Sequence, residues 1–156
     1  MLNFSYCNPT RIIFGQGQIA QLRKQVPQTA TVLMLYGGGS IKQNGVYDQV
    51  KAALEGNRLL EFGGIEPNPS YETLMGAVAL ARAEGVDYLL AVGGGSVIDG
   101  SKFVAAAVPF AGEPWDILAK RAPIESALPL GCVLTLPATG SESNNGAVIT
   151  RKATQD

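Results

Sequence analysis

The 156-residue sequence contains no histidine, so it lacks both the commonest general base and the commonest metal ligand. Its own chemistry is therefore narrow. Cysteine is nearly absent too: Cys7 and Cys132 show neither metal-type spacing nor a disulfide framework, and both read as ordinary buried thiols. No sign of charge dominates, with 12 basic and 13 acidic side chains giving a net charge of −1 and no long basic run, which excludes a sequence-independent hold on nucleic acid. Long apolar runs are missing as well. The longest, Phe103 to Gly112, is interrupted by Pro109 and falls short of the roughly 20 residues needed to span a bilayer. The start, M-L-N-F-S-Y-C-N-P-T-R, lacks the layout of a secretory signal, so a cytoplasmic chain without a membrane partner is the expectation.

What is present is a composition 46% hydrophobic and 16% charged, fitting one domain over residues 1–156 that buries a single core. Apolar runs alternate with helical periodicity. T-V-L-M-L-Y from Thr31 predicts a strand, and Val46, Val50 and Leu54 a helix. N-R-L-L-E-F predicts the next strand, and Asn68-Pro69 reads as the N-cap and first position of a helix carrying Leu74, Val78 and Ala81. V-D-Y-L-L-A-V and a helix from about Ser96 to Val108 form a third cycle, G-C-V-L-T-L a fourth strand and A-V-I-T-R-K a last one. Ahead of these, R-I-I-F-G predicts a short strand, followed by a helix with Ile19, Leu22 and Val26. Nearly all-apolar strands separated by helices indicate an α/β fold: a Rossmann-like parallel sheet with helices on both faces.

Two loops stand out, L-Y-G-G-G-S-I-K and L-A-V-G-G-G-S-V-I-D-G-S-K, with Gly37 and Gly93 at equivalent points. Each follows a strand, where a parallel sheet binds ligands and a helix start attracts phosphate. Three glycines let a pyrophosphate lie against the main chain; the plainer alternative is a tight strand-to-helix turn. The second loop is not G-x-G-x-x-G, because Ile98 stands at the sixth position from Gly93. Nor is it a P-loop, since Ser101-Lys102 reverses the required order. Ser96 and Asp99 have capping-box spacing, Thr139 and Glu142 repeat it, and Asp99 and Lys102 suit a weak surface ion pair. Trp115 reads as a packing residue of a short helix.

The combination G-G-G-S-x-x-D-x-x-K and, some way downstream, T-L-P-A-T-G-S-E resembles the iron-containing (group III) alcohol dehydrogenases. N-P-T-R-I-I-F-G-Q-G and E-F-G-G-I-E-P-N-P-S-Y-E-T-L look similar to their NADPH-dependent aldehyde reductase and butanol dehydrogenase branch. The resemblance covers essentially the whole chain and implies a dehydroquinate synthase-like N-terminal nucleotide domain. It implies that Gly94, Gly95 and Ser96 hold the pyrophosphate, that Asp99 lies near the nicotinamide, and that Thr135, Thr139 and Ser141 add hydroxyl contacts. Asn68 is similar to an adenosine-side contact. The first loop, Gly37, Gly38, Gly39 and Ser40, carries no acid where NAD-preferring relatives place one, which points to NADP(H), with Gly38 and Ser40 receiving its 2′-phosphate.

The resemblance further implies a C-terminal helical domain whose one aspartate and three histidines bind Fe2+ or Zn2+, a small aldehyde or alcohol as substrate, and dimers formed through the N-terminal edge strand. Those histidines are not in this chain. It is expected to be the cofactor-binding half of such an enzyme and inactive alone. Two alternatives stay open: a stand-alone nucleotide-binding module, and the NAD-binding domain of a dehydroquinate synthase-like enzyme. The purified 156-residue chain, given butanal, NADPH and either metal, is expected to show no metal-stimulated NADPH oxidation; turnover above the protein-free rate would overturn this.

Overall fold

The computed structural model describes residues 3–154; the outermost residues of the expected domain, Met1, Leu2, Gln155 and Asp156, lie outside the described residues. Four strands, β1 (Thr31–Tyr36), β2 (Arg58–Phe62), β3 (Tyr88–Gly93) and β4 (Leu130–Leu134), form one sheet in the order β2-β1-β3-β4. Every pairing is parallel. The helices are α1 (Leu22–Gln25), α2 (Val46–Ala53), α3 (Tyr71–Glu84), α4 (Gly95–Ala107) and α5 (Asp116–Ala119), with a 3-10 turn at Gln18–Gln21 leading into α1.

The apolar character of β1 and β3 follows from burial on both faces. Leu33, Leu35, Leu89 and Ala91 pack with Leu74, Val78, Ile98 and Val104 of α3 and α4. Their alternates, Val32, Met34, Leu90 and Val92, pack with Val26, Val50 and Leu54 on the other side. Period-two alternation thus feeds two cores from one strand. The helix α4 is so apolar because most of its surface is buried. It also passes close to α3: a Cβ on Gly100 would stand 2.8 Å from Leu74 Cδ2. The carboxyl end of α4 is closed by Arg82 of α3, which donates to the carbonyls of Ala107 (2.7 Å), Val108 (3.0 Å) and Phe110 (3.0 Å).

Four expectations are corrected. Residues 11–14 of R-I-I-F-G form no strand: they pair with none of the sheet's four strands, and Ile12 and Phe14 are 72% and 96% exposed. Asn68 is not the cap of α3. Pro69 disfavours the helical conformation at the residue before it, Asn68 adopts φ 54°, and the cap is Ser70, whose Oγ accepts from Thr73 N. Such a cap is worth about 1 kcal/mol. The A-V-I-T-R-K segment makes only an isolated bridge between Ser70 and Thr150: the Thr150 amide and carbonyl bond to Pro69 and Tyr71, while the flanking Val148 and Lys152 amides go to the carboxylates of Asp99 and Glu72. Cys7 is exposed, not buried, while Cys132 is half-buried on β4 and burial raises its thiol to about 11.

The last described residues are held by polar contacts. Lys152 Nζ lies 3.0 Å from Glu66 Oε1, and the Lys152 and Ala153 amides each donate to Glu72 at 3.2 Å. Arg151 sits over the rings of Tyr71 and Trp115, 5.2 and 5.5 Å from their centroids. Burial alone would raise the Glu66 carboxyl, but hydrogen bonds from Ser70, a backbone amide, Lys152 and Thr73 outweigh it and hold the group at about 2. A depressed folded-state value means stabilisation that is complete above the ordinary value of 4.5 and is lost as pH falls toward 2. Denaturant titrations should accordingly find Glu66→Gln less stable than the parent at neutral pH, the gap closing between about pH 4.5 and 2. A gap independent of pH would contradict the assignment.

Candidate functional site

Because all four strands run the same way, their following loops emerge along one edge. Gly37 follows β1, Gly63 follows β2, Gly94 follows β3 and Thr135 follows β4. Short bonds tie the loops to the sheet: Gly64 N to Gly37 O (3.0 Å), Ile65 N to Tyr36 O (3.2 Å) and Thr135 N to Gly93 O (3.0 Å). The strand order reverses between β1 and β3, the position where an open parallel sheet leaves a crevice for a ligand. Both three-glycine loops flank it.

The glycines differ in why they are glycines. A Cβ on Gly93 would meet Val97 Cγ2 at 2.8 Å, one on Gly95 would collide with Thr139 Oγ1, and one on Gly37 would crowd the Ile65 carbonyl at 3.1 Å. Gly39 holds φ +96°. Gly38 and Gly94 have no such reason. Nothing lies within 4 Å of a Cβ at Gly38, only Leu136 Cβ at 3.8 Å approaches one at Gly94, and neither has positive φ. Neither steric crowding nor backbone conformation requires glycine at these two positions. Gly94 caps α4, whose first intrahelical bond is Ile98 N to Gly94 O at 3.2 Å, so the amides of Gly95, Ser96 and Val97 precede the helical ladder.

The expected capping box is not formed: no side chain caps α4, and both Asp99 oxygens are used elsewhere. Asp99 Oδ1 accepts the Ser141 hydroxyl and Oδ2 accepts Val148 N at 3.1 Å. Lys102 is more than a surface partner for Asp99. Its ammonium donates to the carbonyls of Ser141 (2.9 Å) and Gly146 and to Asn144 Oδ1 (3.1 Å), with Asp99 Oδ1 at 3.5 Å. Both side chains are largely buried, 15% and 20% exposed. Together they bind the T-G-S-E loop against α4. The cap expected between Thr139 and Glu142 is instead Thr139 Oγ1 accepting Ser141 N at 3.3 Å, with Gly140 at φ 71°.

The structure thus brings Gly94, Gly95, Ser96, Asp99, Thr139 and Ser141 together at the start of α4. Thr135 is exposed and bonded through its amide to Gly93. Gly37, Gly38, Gly39 and Ser40 form the neighbouring loop, in which Ser40 is exposed and opens a 3-10 turn, Ser40–Lys42. Asn68 lies exposed in the loop after β2, and among the described residues no hydrogen bond joins it to either glycine loop. Trp115 is a packing residue, as expected: it is buried, with its ring 5.2 Å from Tyr71 in edge-on geometry.

Sequence reasoning missed a group beside the first loop. Tyr47 Oη donates to Glu61 Oε1 at 2.6 Å and Tyr36 Oη to Oε2 at 3.4 Å. The first loop itself carries no acid, but Glu61 approaches the tyrosines beside it from β2, which pairs with β1. A metal has no such place here. Among the described residues no three His, Cys, Asp or Glu side chains stand together, so the residues present do not fit Fe2+ or Zn2+. Nor is any described helix long and apolar enough to cross a membrane.

Residues 9–156 match the iron-containing alcohol dehydrogenase family. The chain is 62% identical to the NADPH-dependent aldehyde reductase YqhD of Escherichia coli K12 and 52% identical to the probable NADH-dependent butanol dehydrogenase 2 of Bacillus subtilis 168, in each case over 100% of this chain and 41% of the relative. The crystal structure of YqhD shares its fold with a TM-score of 0.95, covering 99% of this chain and 40% of that one. NADH-dependent butanol dehydrogenase A of Thermotoga maritima, 46% identical, gives 0.94 over 97% and 39%. The chain therefore spans about two fifths of the length of these relatives. Its parallel α/β sheet is that of their N-terminal domain. By sequence and by fold, this chain belongs to the iron-containing alcohol dehydrogenase family.

Proposed function

We propose that these residues are the NADP(H)-binding domain of a metal-dependent enzyme interconverting small aldehydes and alcohols. The observation that carries the reading is the bare backbone at Gly94 and Gly38, two glycines that the chain's own packing does not require, on either side of the sheet's crevice. Gly94, Gly95 and Ser96 would hold the pyrophosphate at the start of α4, with the free amides there as donors. Gly37, Gly38, Gly39 and Ser40 would face the adenosine ribose, Gly38 and Ser40 receiving the 2′-phosphate, and Asn68 the adenosine side. Thr135 and Thr139 supply exposed hydroxyls. Asp99 and Ser141, already bonded to each other, would act at the nicotinamide end by holding that loop in shape.

Bound NADPH supplies a hydride for the carbonyl carbon of an aldehyde, and the oxidised form takes one back from an alcohol. The cation that the family name implies has no ligand set among the described residues, so the reading assigns it to a helical domain outside them. Dimerisation through the N-terminal segment belongs to the same reading, supported by the exposure of Phe4 (83%), Tyr6 (76%) and Phe14 (96%).

Calorimetric titration with NADPH and NADH tests the proposal. NADPH should bind the tighter, and Gly94→Val, which also costs some stability at the start of α4, should weaken both by at least about tenfold, roughly 1.4 kcal/mol, while the chain stays folded by circular dichroism. Equal affinity for the two nucleotides would overturn the NADP(H) assignment. Unaltered binding in Gly94→Val would overturn the pyrophosphate site.

A further inference from the structure

The Ser40–Lys42 turn carries a charge that the glycines do not explain. The Lys42 ammonium lies 5.2 Å from the centroid of the Tyr36 ring and 5.1 Å from that of Tyr47. A lysine at an exposed turn normally samples many rotamers; two aromatic faces favour one region for its charge. Those faces are themselves fixed. The two tyrosine hydroxyls donate to opposite oxygens of Glu61, and the Tyr36 ring occupies the space over Gly63, where a Cβ would come within 2.6 Å of ring carbon Cε2. The cluster lies on the loop's own strand and on the neighbouring one: Tyr36 ends β1, Glu61 lies on β2, and Lys42 follows Gly39, to whose carbonyl its amide donates at 3.0 Å.

Glu61 is also an acid beside that loop, on the neighbouring strand. A carboxylate near the end of the second strand ordinarily accepts from the ribose hydroxyls and repels a 2′-phosphate. Here each of its oxygens accepts from a tyrosine. The carboxylate is thereby used to brace aromatic rings, and those rings hold the Lys42 ammonium beside the loop.

We infer that Lys42 is the specificity-determining residue for NADP(H), reading the 2′-phosphate from a cradle of Tyr36 and Tyr47, and that Glu61 is the positioning residue that holds the cradle. The inference rests on the NADP(H) reading of the first glycine loop and adds to it the charge that makes the choice. Backbone amides and a serine hydroxyl accommodate a phosphate; a lysine ammonium gives it a full counter-charge.

The test is calorimetric titration of the 156-residue chain with NADPH and with NADH, in the parent and in Lys42→Met, Lys42→Arg and Tyr47→Phe. Lys42 is exposed, so these changes leave the core alone. Lys42→Met should weaken NADPH by about tenfold or more while NADH stays within about twofold, and Lys42→Arg should restore most of the preference. Tyr47→Phe, which keeps the ring and frees one Glu61 oxygen, should lower the NADPH-to-NADH ratio several-fold, an effect that a merely structural tyrosine would not produce. A Lys42→Met chain that keeps the parent's ratio, or loses both nucleotides equally, overturns the inference. A parent chain that binds neither nucleotide, or both alike, overturns instead the NADP(H) reading beneath it.

Discussion

Helix α4 is buried along most of its length, and a buried helix must dispose of the unsatisfied groups at both of its ends. At the carboxyl end Arg82 reaches across from α3 to three carbonyls, bonds that for a charged donor are worth about 1.5–3 kcal/mol each at most. At the amino end no side chain closes the helix. Its amides face the crevice between β1 and β3, beside a glycine whose missing side chain the protein does not otherwise need. One end is closed by a side chain and the other is not, and the proposed pyrophosphate site uses that asymmetry.

The same helix organises the segment that follows β4. Asp99 and Lys102 both leave α4 toward residues 141–148 and between them engage Ser141, Asn144, Gly146 and Val148. An ammonium has three protons and here has more than three oxygens around it, so it acts as a fixed cation around which the loop folds. This explains how a stretch with almost no regular structure comes so close to α4 that Thr139 leaves no room for a Cβ at Gly95. Residues farther along are fastened by the same means, through Arg151 on two aromatic faces and Lys152 on Glu66.

What could be read from the sequence was whatever depends on local periodicity. The four central strands and the helices between them follow from runs of apolar residues whose burial the structure confirms, Leu33 and Met34 on opposite faces of β1 being the simplest case. The failures share one cause: each turned on a partner distant in sequence. R-I-I-F-G has the composition of a strand but no strand beside it. A-V-I-T-R-K also looks extended, yet its Val148 and Lys152 amides go to the carboxylates of Asp99 and Glu72. Asn68-Pro69 has the chemistry of a helix start, but the residue before a proline avoids the helical region, and Ser70 takes the cap. Within the site, the glycine loops were visible because glycine runs are rare signals. Which glycines answer to packing and which do not depended on neighbours such as Thr139 and Ile65, and Glu61 was invisible because its tyrosines lie on other elements.

The near-match to a P-loop in G-S-V-I-D-G-S-K can now be explained residue by residue. Gly100, which supplies the second glycine of that spacing, is there because Leu74 of α3 fills the place of its side chain. The hydroxyl of Ser101 is fully buried and donates to the Val97 carbonyl one turn back at 2.7 Å, so no metal-bound phosphate could reach it. Lys102 is spent on the loop after β4. Each residue that imitates a nucleoside triphosphate site is occupied by the interior of this fold. What remains beside this stretch is main chain with the hydroxyls of Ser96, Thr135 and Thr139, which suits the proposed pyrophosphate and, in that reading, leaves selectivity between nucleotides to the other loop.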